Sequence, residues 1–175
     1  SFERQAFSGE IGYRITPRIK VILSDTLEST KRSYADASLV TQNTTTLKVR
    51  SRIDDDLFNA ISFSHQDRAA NSYVNGNTWA LLSNAGVPPD LTPGFMVYSE
   101  TSRRHDEVKD VLDWSPMRSV NISLIGKFAK DTYPQSQNGL RNNMNASIGP
   151  DVSWDVSPNL SAHAYYTYQK IYYET

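Results

Sequence analysis

Apolar and polar residues alternate one for one along most of this 175-residue chain, in runs longer than the strands of an ordinary soluble domain. Phe7, Ile11, Tyr13 and Ile15 are set against Ser8, Glu10, Gly12 and Arg14; Leu47, Val49 and Ile53 against Lys48, Arg50 and Arg52. Val120, Ile122, Leu124 and Phe128 face off against Asn121, Ser123 and Lys127, and Ala162, Ala164, Tyr166 and Tyr168 against Ser161, His163, Tyr165 and Thr167. A period of two means strands with two unlike faces, because successive side chains point to opposite sides of the pleat. The pattern predicts eight strands, at roughly 5–15, 18–28, 44–53, 58–67, 106–114, 119–130, 143–156 and 160–173. Soluble strands run about 5–6 residues and membrane-spanning ones about 9–11. These match the longer class.

The connections alternate as well. Four are tight, at Thr16-Pro17, 54–56, 115–119 and 157–159; three are long and polar, at 29–43, 67–105 and 131–143. Short turns at one end and long loops at the other are the asymmetry of outer-membrane barrels. Three of the turns repeat a motif in which an aromatic residue precedes a proline: Tyr13 before Pro17, Trp114 before Pro116, Trp154 before Pro158. Proline cannot donate to a strand ladder and so belongs in a turn. Tyr13, Trp114, Trp154, Tyr166 and Tyr168 are then expected at the membrane–water interface, as a girdle. The fold expected is all-β: a single antiparallel transmembrane β-barrel segment over 1–175, with eight long strands in four hairpins.

Cost decides which face meets lipid. A Lys or Arg at the bilayer midplane costs about 2–4 kcal/mol, so Lys48, Arg50 and Arg52 turn inward and Leu47, Val49 and Ile53 outward. By the same rule Glu10, Arg14, Lys20, Glu28, Lys109, Asp113, Lys127, Asp151, Asp155 and His163 point into the lumen. Asp25, His65 and Asp110 fall on the apolar faces, where a bulge, a register change or a place near the outer rim would each accommodate them. The basic row Lys48, Arg50, Arg52 has two readings: a wall balanced by acidic neighbours such as Glu28, or a contact to something occupying the lumen.

Composition removes several classes. The sequence has no cysteine, which excludes disulfides, zinc-thiolate sites and covalent attachment of haem within it. A net charge of −1 gives no nucleic-acid footprint, and no apolar run approaches the ~20 residues of a transmembrane helix. His65, His105 and His163 show no metal-ligand spacing, with His105 read in or beside the longest loop. No nucleophile elbow or phosphate loop occurs, so no catalytic, cofactor-binding or metal residue is assigned and an enzyme is not expected. Asp54, Asp55 and Asp56 read as a solvated turn, and residues 87–90 (VPPD) as a rigid one.

Four stretches resemble the MtrB/PioB family of outer-membrane barrels: 9–17 (GEIGYRITP), 113–116 (DWSP), 131–134 (DTYP) and, most specifically, 151–168 (DVSWDVSPNLSAHAYYTY). The resemblance implies a very large barrel in a Gram-negative outer membrane that sheathes a periplasmic multihaem c-type cytochrome, with an extracellular multihaem cytochrome docking outside in some members. The cytochromes carry haem c and the electrons; the barrel holds and insulates. Glu10, Arg14, Lys48, Arg50, Arg52, Lys109, Lys127 and His163 become expected partner contacts. Eight strands enclose only their own side chains or one small ligand, so the chain is expected to be a piece of a longer one. The rival readings are a passive porin or small stand-alone barrel, and a soluble β-sandwich binding module.

Overall fold

The computed structural model describes residues 2–33, 37–71, 101–135 and 140–174. The turn predicted at 87–90 and the middle of the 67–105 loop lie outside the described residues. All nine described strands belong to one antiparallel sheet: β1 (Phe2–Thr16), β2 (Ile19–Arg32), β3 (Leu39–Arg52), β4 (Leu57–Asn71), β5 (Arg103–Met117), β6 (Val120–Thr132), β7 (Asn142–Ser157), β8 (Leu160–Tyr165) and β9 (Tyr168–Glu174). They pair in chain order from β1 to β8, and β9 continues along β7 beyond β8. Neither β1 nor β8–β9 pairs with the other, so the sheet is open at both edges.

The strands outrun the sequence prediction at the long-loop end. β2 and β3 extend to Arg32 and from Leu39, and β4 and β5 to Asn71 and from Arg103. There like residues follow one another (Leu39-Val40, Ala69-Ala70, Arg103-Arg104), so the ladder continues where the alternation is no longer visible. His105 therefore sits inside β5, opposite Gln66, rather than in a loop.

The strand expected at 160–173 is two. β8 and β9 are separated at Tyr166 and Thr167, where the backbone dips onto β7 and Tyr166 N–H donates to Pro150 O at 3.1 Å. Gly149 permits this approach. A Cβ there would lie 2.2 Å from the Tyr166 carbonyl oxygen, far inside contact distance.

At the other end the connections are tight: 17–18, 53–56, 118–119 and 158–159. Three of these hairpins carry one extra residue on the strand entering the turn, at 14–16, 114–117 and 155–157. The repeated aromatic-to-proline motif thus encodes a bulged hairpin. In the first, Thr16 Oγ1 accepts from the backbone N–H of Arg18 (3.2 Å) and Ile19 (3.1 Å), closing the turn. Pro17 and Pro158 occupy turns as expected. Pro116 instead lies within β5 at its bulge, where the ladder needs no donor.

The register also sets the strand tilt. One row across the ladder runs Ile11, Leu23, Leu47, Phe63, Val108, Phe128, Ala146. From this row Ile11 is six residues short of Pro17, Leu47 eight short of Asp55, Val108 ten short of Arg118 and Ala146 twelve short of Pro158. The turns step by two residues per hairpin, or one per strand. One rise of about 3.4 Å over a strand spacing of about 4.8 Å is a tilt of roughly 35°. Membrane barrels tilt by about 35–45°.

The two faces are unequally covered. Leu47, Phe63 and Phe128 are 45–49% exposed with nothing packed over them, while Ile22 and Ala129 on the other face are 6% and 5% exposed, shielded by neighbouring polar side chains. No second sheet covers either face among the described residues. Substituting Gly149→Val should lower the unfolding midpoint of the full-length chain, at a cost of about 1–3 kcal/mol for the forced displacement. Gly126→Val, whose Cβ would meet nothing within 4 Å, should leave the midpoint unchanged; heat-modifiability on SDS gels reads both.

Candidate functional site

Directly paired residues share a face, so the register assigns every side chain. Glu10, Arg14, Lys48, Arg50, Arg52, Lys109, Lys127 and His163 all fall on the polar face. Arg14, Lys20 and Arg50 stand directly opposite one another on β1, β2 and β3. In the next row Lys48 and Lys109 flank Ser62, and Lys127 lies beyond Lys109. Gly12 opens the space over which the Lys20 side chain lies, since a Cβ there would be 2.7 Å from Lys20 Cε.

The structure decides against Glu28 as the balancing group. Its carboxylate binds Arg4 at 2.6 Å, toward the long-loop end of β1 and β2. Arg52 reaches Asp55 in the adjacent turn (2.9 Å) and lies over the Phe58 ring at 5.9 Å. Lys127 is held by Glu107 at 2.8 Å, and His163 by Asp151 at 2.7 Å.

A second polar cluster sits near the long-loop end of the same face, and the alternation pattern did not single it out. His105 Nδ1 lies 2.7 Å from Asp131 Oδ1, and its Nε2 lies 3.4 Å from Glu107. The Arg103 guanidinium donates to Gln66 Oε1 and approaches Asp131 at 3.5 Å. Asn143 donates to the other Asp131 oxygen at 3.5 Å. Tyr133 closes the cluster at the start of the 133–141 connection, and burial, with Asp131 beside it, pushes its hydroxyl pKa up. The only signal in the sequence was the polar pairing across β4, β5 and β6, visible once the register is known.

The aromatics sort by height. Tyr13, Trp114 and Trp154 each lie four residues before the first turn residue, Pro17, Arg118 and Pro158, and all three are on the apolar face. With the turns stepped along the tilted sheet, they form one level belt. Tyr168 shares that face, opposite Ile148, while Tyr166 lies in the break between β8 and β9.

The three exceptional residues of the apolar face are in register, because every register shift lies at the turn end. His65 stands at the upper edge of the apolar band, bridging Asp106 (2.6 Å) and Asp67 (3.0 Å), with Arg104 3.4 Å from Asp67. Asp25 and Asp110 are within the band, level with Leu47 and Phe63. Each is met by a neighbouring donor: Thr45 Oγ1 to Asp25 at 2.7 Å, and Asn59 Nδ2 to Asp110 at 2.6 Å. The rim accounts for His65; local hydrogen bonds, not bulges, accommodate the two aspartates.

An open, tilted antiparallel sheet with tight turns at one end, an uncovered apolar face and a charged opposite face is wall material of an outer-membrane β-barrel. The chain matches the outer membrane beta-barrel porin family MtrB/PioB across residues 1–174 and belongs to that family. It is 24% identical over 172 residues to outer membrane protein MtrB of Shewanella baltica (strain OS185), a match covering 95% of this chain and 23% of that relative. The chain thus spans about a quarter of the length of the curated relative it matches. Its place is the outer membrane.

The two faces should respond oppositely to the same substitution. Leu47→Arg, near the middle of the apolar band on β3, should cost about 2–4 kcal/mol. Thr26→Arg, on the polar face opposite Ser8 and Thr44, should stay within about 0.5 kcal/mol. Urea unfolding of the full-length chain in lipid vesicles measures both.

Proposed function

We propose that this chain is one sector of a large barrel wall that holds and insulates a multihaem c-type cytochrome, so that electrons cross the outer membrane through the enclosed haems. The observation that carries the reading is the two-faced sheet: one face bare and apolar, the other dense with charge and hydrogen-bonding groups, in a chain of the MtrB/PioB family. A narrow barrel would fill its interior with its own side chains. Here the polar face is open, and further strands at the two unpaired edges would carry the wall round a wide lumen.

The redox chemistry belongs to the partner. The sequence offers no cysteine to attach haem, and each histidine is engaged by carboxylates: His65 by Asp106 and Asp67, His105 by Asp131 and Glu107, His163 by Asp151. The wall contributes in three ways. Its ladder satisfies the backbone groups of the strands between its two open edges. Its apolar face seals against the acyl chains, and its polar face presents Glu10, Arg14, Lys48, Arg50, Arg52, Lys109, Lys127 and His163 to the occupant. In this reading the tight turns face the periplasm, where the cytochrome enters, and the long connections face outward, where an extracellular multihaem cytochrome docks. The wall is not an enzyme.

The test is spectroscopic. The full-length chain, isolated in detergent from native outer membranes, should co-migrate with a c-type haem Soret band. A haem-free barrel in the detergent fraction would overturn the sheath reading and leave a passive porin.

A further inference from the structure

The polar face is not uniformly charged. At the turn end of β1–β3, Arg14, Lys20 and Arg50 face one another directly, with Lys48 in the adjacent row and Lys109 two strands further along it. Among the described residues none of these five has an ion pair or a side-chain hydrogen bond. The acids of the same face are committed or distant. Glu28 holds Arg4, Glu107 holds Lys127 and Asp151 holds His163; Asp113, across β4, lines the same hollow as Arg14, Lys20 and Arg50 but accepts from Ser123 and pairs with none of the five. Glu10 stands two ladder rows beyond Arg14, opposite Ser24.

Like charges directly opposite on a ladder are destabilising. Three in a row, with no acid directly between them and no ion pair to Asp113 across the hollow, are a standing cost. Their height matters too. Arg14 and Arg50 lie three to five residues from the tight turns and Lys20 two from its own, which puts the cluster just inside that mouth of the lumen. The Lys20 stem is laid over Gly12, which holds its ammonium on the lumen side.

We propose that this cluster docks an acidic surface of a folded protein seated in the lumen, entering from the tight-turn end. The occupant's identity as a cytochrome rests on the function proposed above; its charge rests on the cluster alone. An acidic surface, rather than a free small anion, is favoured because the five cations spread over four strands and two rows instead of converging on one point. Long-range attraction at a mouth of one sign steers a complementary partner toward it.

The test uses the full-length chain in detergent, with fluorescent polyglutamate as the acidic probe. Arg14→Gln/Lys20→Gln/Arg50→Gln should weaken probe binding about tenfold, as three exposed charge pairs would. Lys31→Gln/Lys130→Gln/Lys170→Gln removes the same charge from the apolar face and should leave binding unchanged. The first variant should also unfold at a slightly higher midpoint, since repulsion is relieved; a cluster serving the fold would lower it. Equal probe binding by wild type and both variants overturns the proposal.

In a second arm the chain is isolated with its native partner. Haem retained per chain should fall between about 0.1 M and about 1 M NaCl, as the screening length drops from ~10 Å to ~3 Å, and should be lower in the first variant throughout. Haem that is indifferent to both salt and substitution overturns the proposal while leaving the sheath intact. Wild type without haem overturns the sheath reading instead, and the polyglutamate arm still decides the surface.

Discussion

Inside a bilayer the backbone has no water to bond with, and the rest of this structure follows from that constraint. Each unsatisfied N–H or C=O in hydrocarbon costs several kcal/mol. The chain meets this with strands of 13–16 residues from β1 to β7, laddered along nearly their whole length. Where continuous pairing fails, on β8 and β9, the break is held by Tyr166 N–H donating to Pro150 O above Gly149. Among the described residues the bulges fall at the tight turns, near the aqueous boundary, where an unpaired group can reach water.

The same ladder couples the two faces. Because the side-chain period is two, a register that puts Leu23, Leu47, Phe63 and Val108 in one row outward necessarily aligns Ile22, Lys48, Ser62 and Lys109 in a row inward. The stepping of the turns converts these rows into heights. It brings Tyr13, Trp114 and Trp154, far apart in sequence, to one level, and it sets Arg14, Lys20 and Arg50 together near one mouth. Asp25 and Asp110 show the limit of the rule: a carboxylate is tolerated on the apolar face where a neighbouring strand supplies a donor at 2.6–2.7 Å.

Much of this was legible beforehand. Alternation along Phe7–Ile15 or Leu47–Ile53 reveals strand, spacing and facing together, because lipid penalises every error of parity. Legibility ended where apolar and polar residues stop alternating. Around Arg68, Arg103 and His105 the period persists in the backbone but not in hydropathy, so the ladder looked like loop. Pro116 looked like a turn because proline forbids a ladder bond, and the bulge beside it was invisible without the partner strand. Glu28 looked like a counter-ion for the basic row because pairing along one strand says nothing about which row faces which.

The sequence alone therefore determined the class of fold, the face of each strand that meets lipid, the ends that carry tight turns and the absence of cysteine chemistry. These depend on local parity and composition, which no tertiary contact can change. Only the tertiary structure decided the register: which cations stand opposite one another, that His105 joins Asp131 and Arg103, and that Gly149 lies under Tyr166. Register is a relation between strands, set by turn geometry and bulges, and a single strand carries no record of its neighbour's offset.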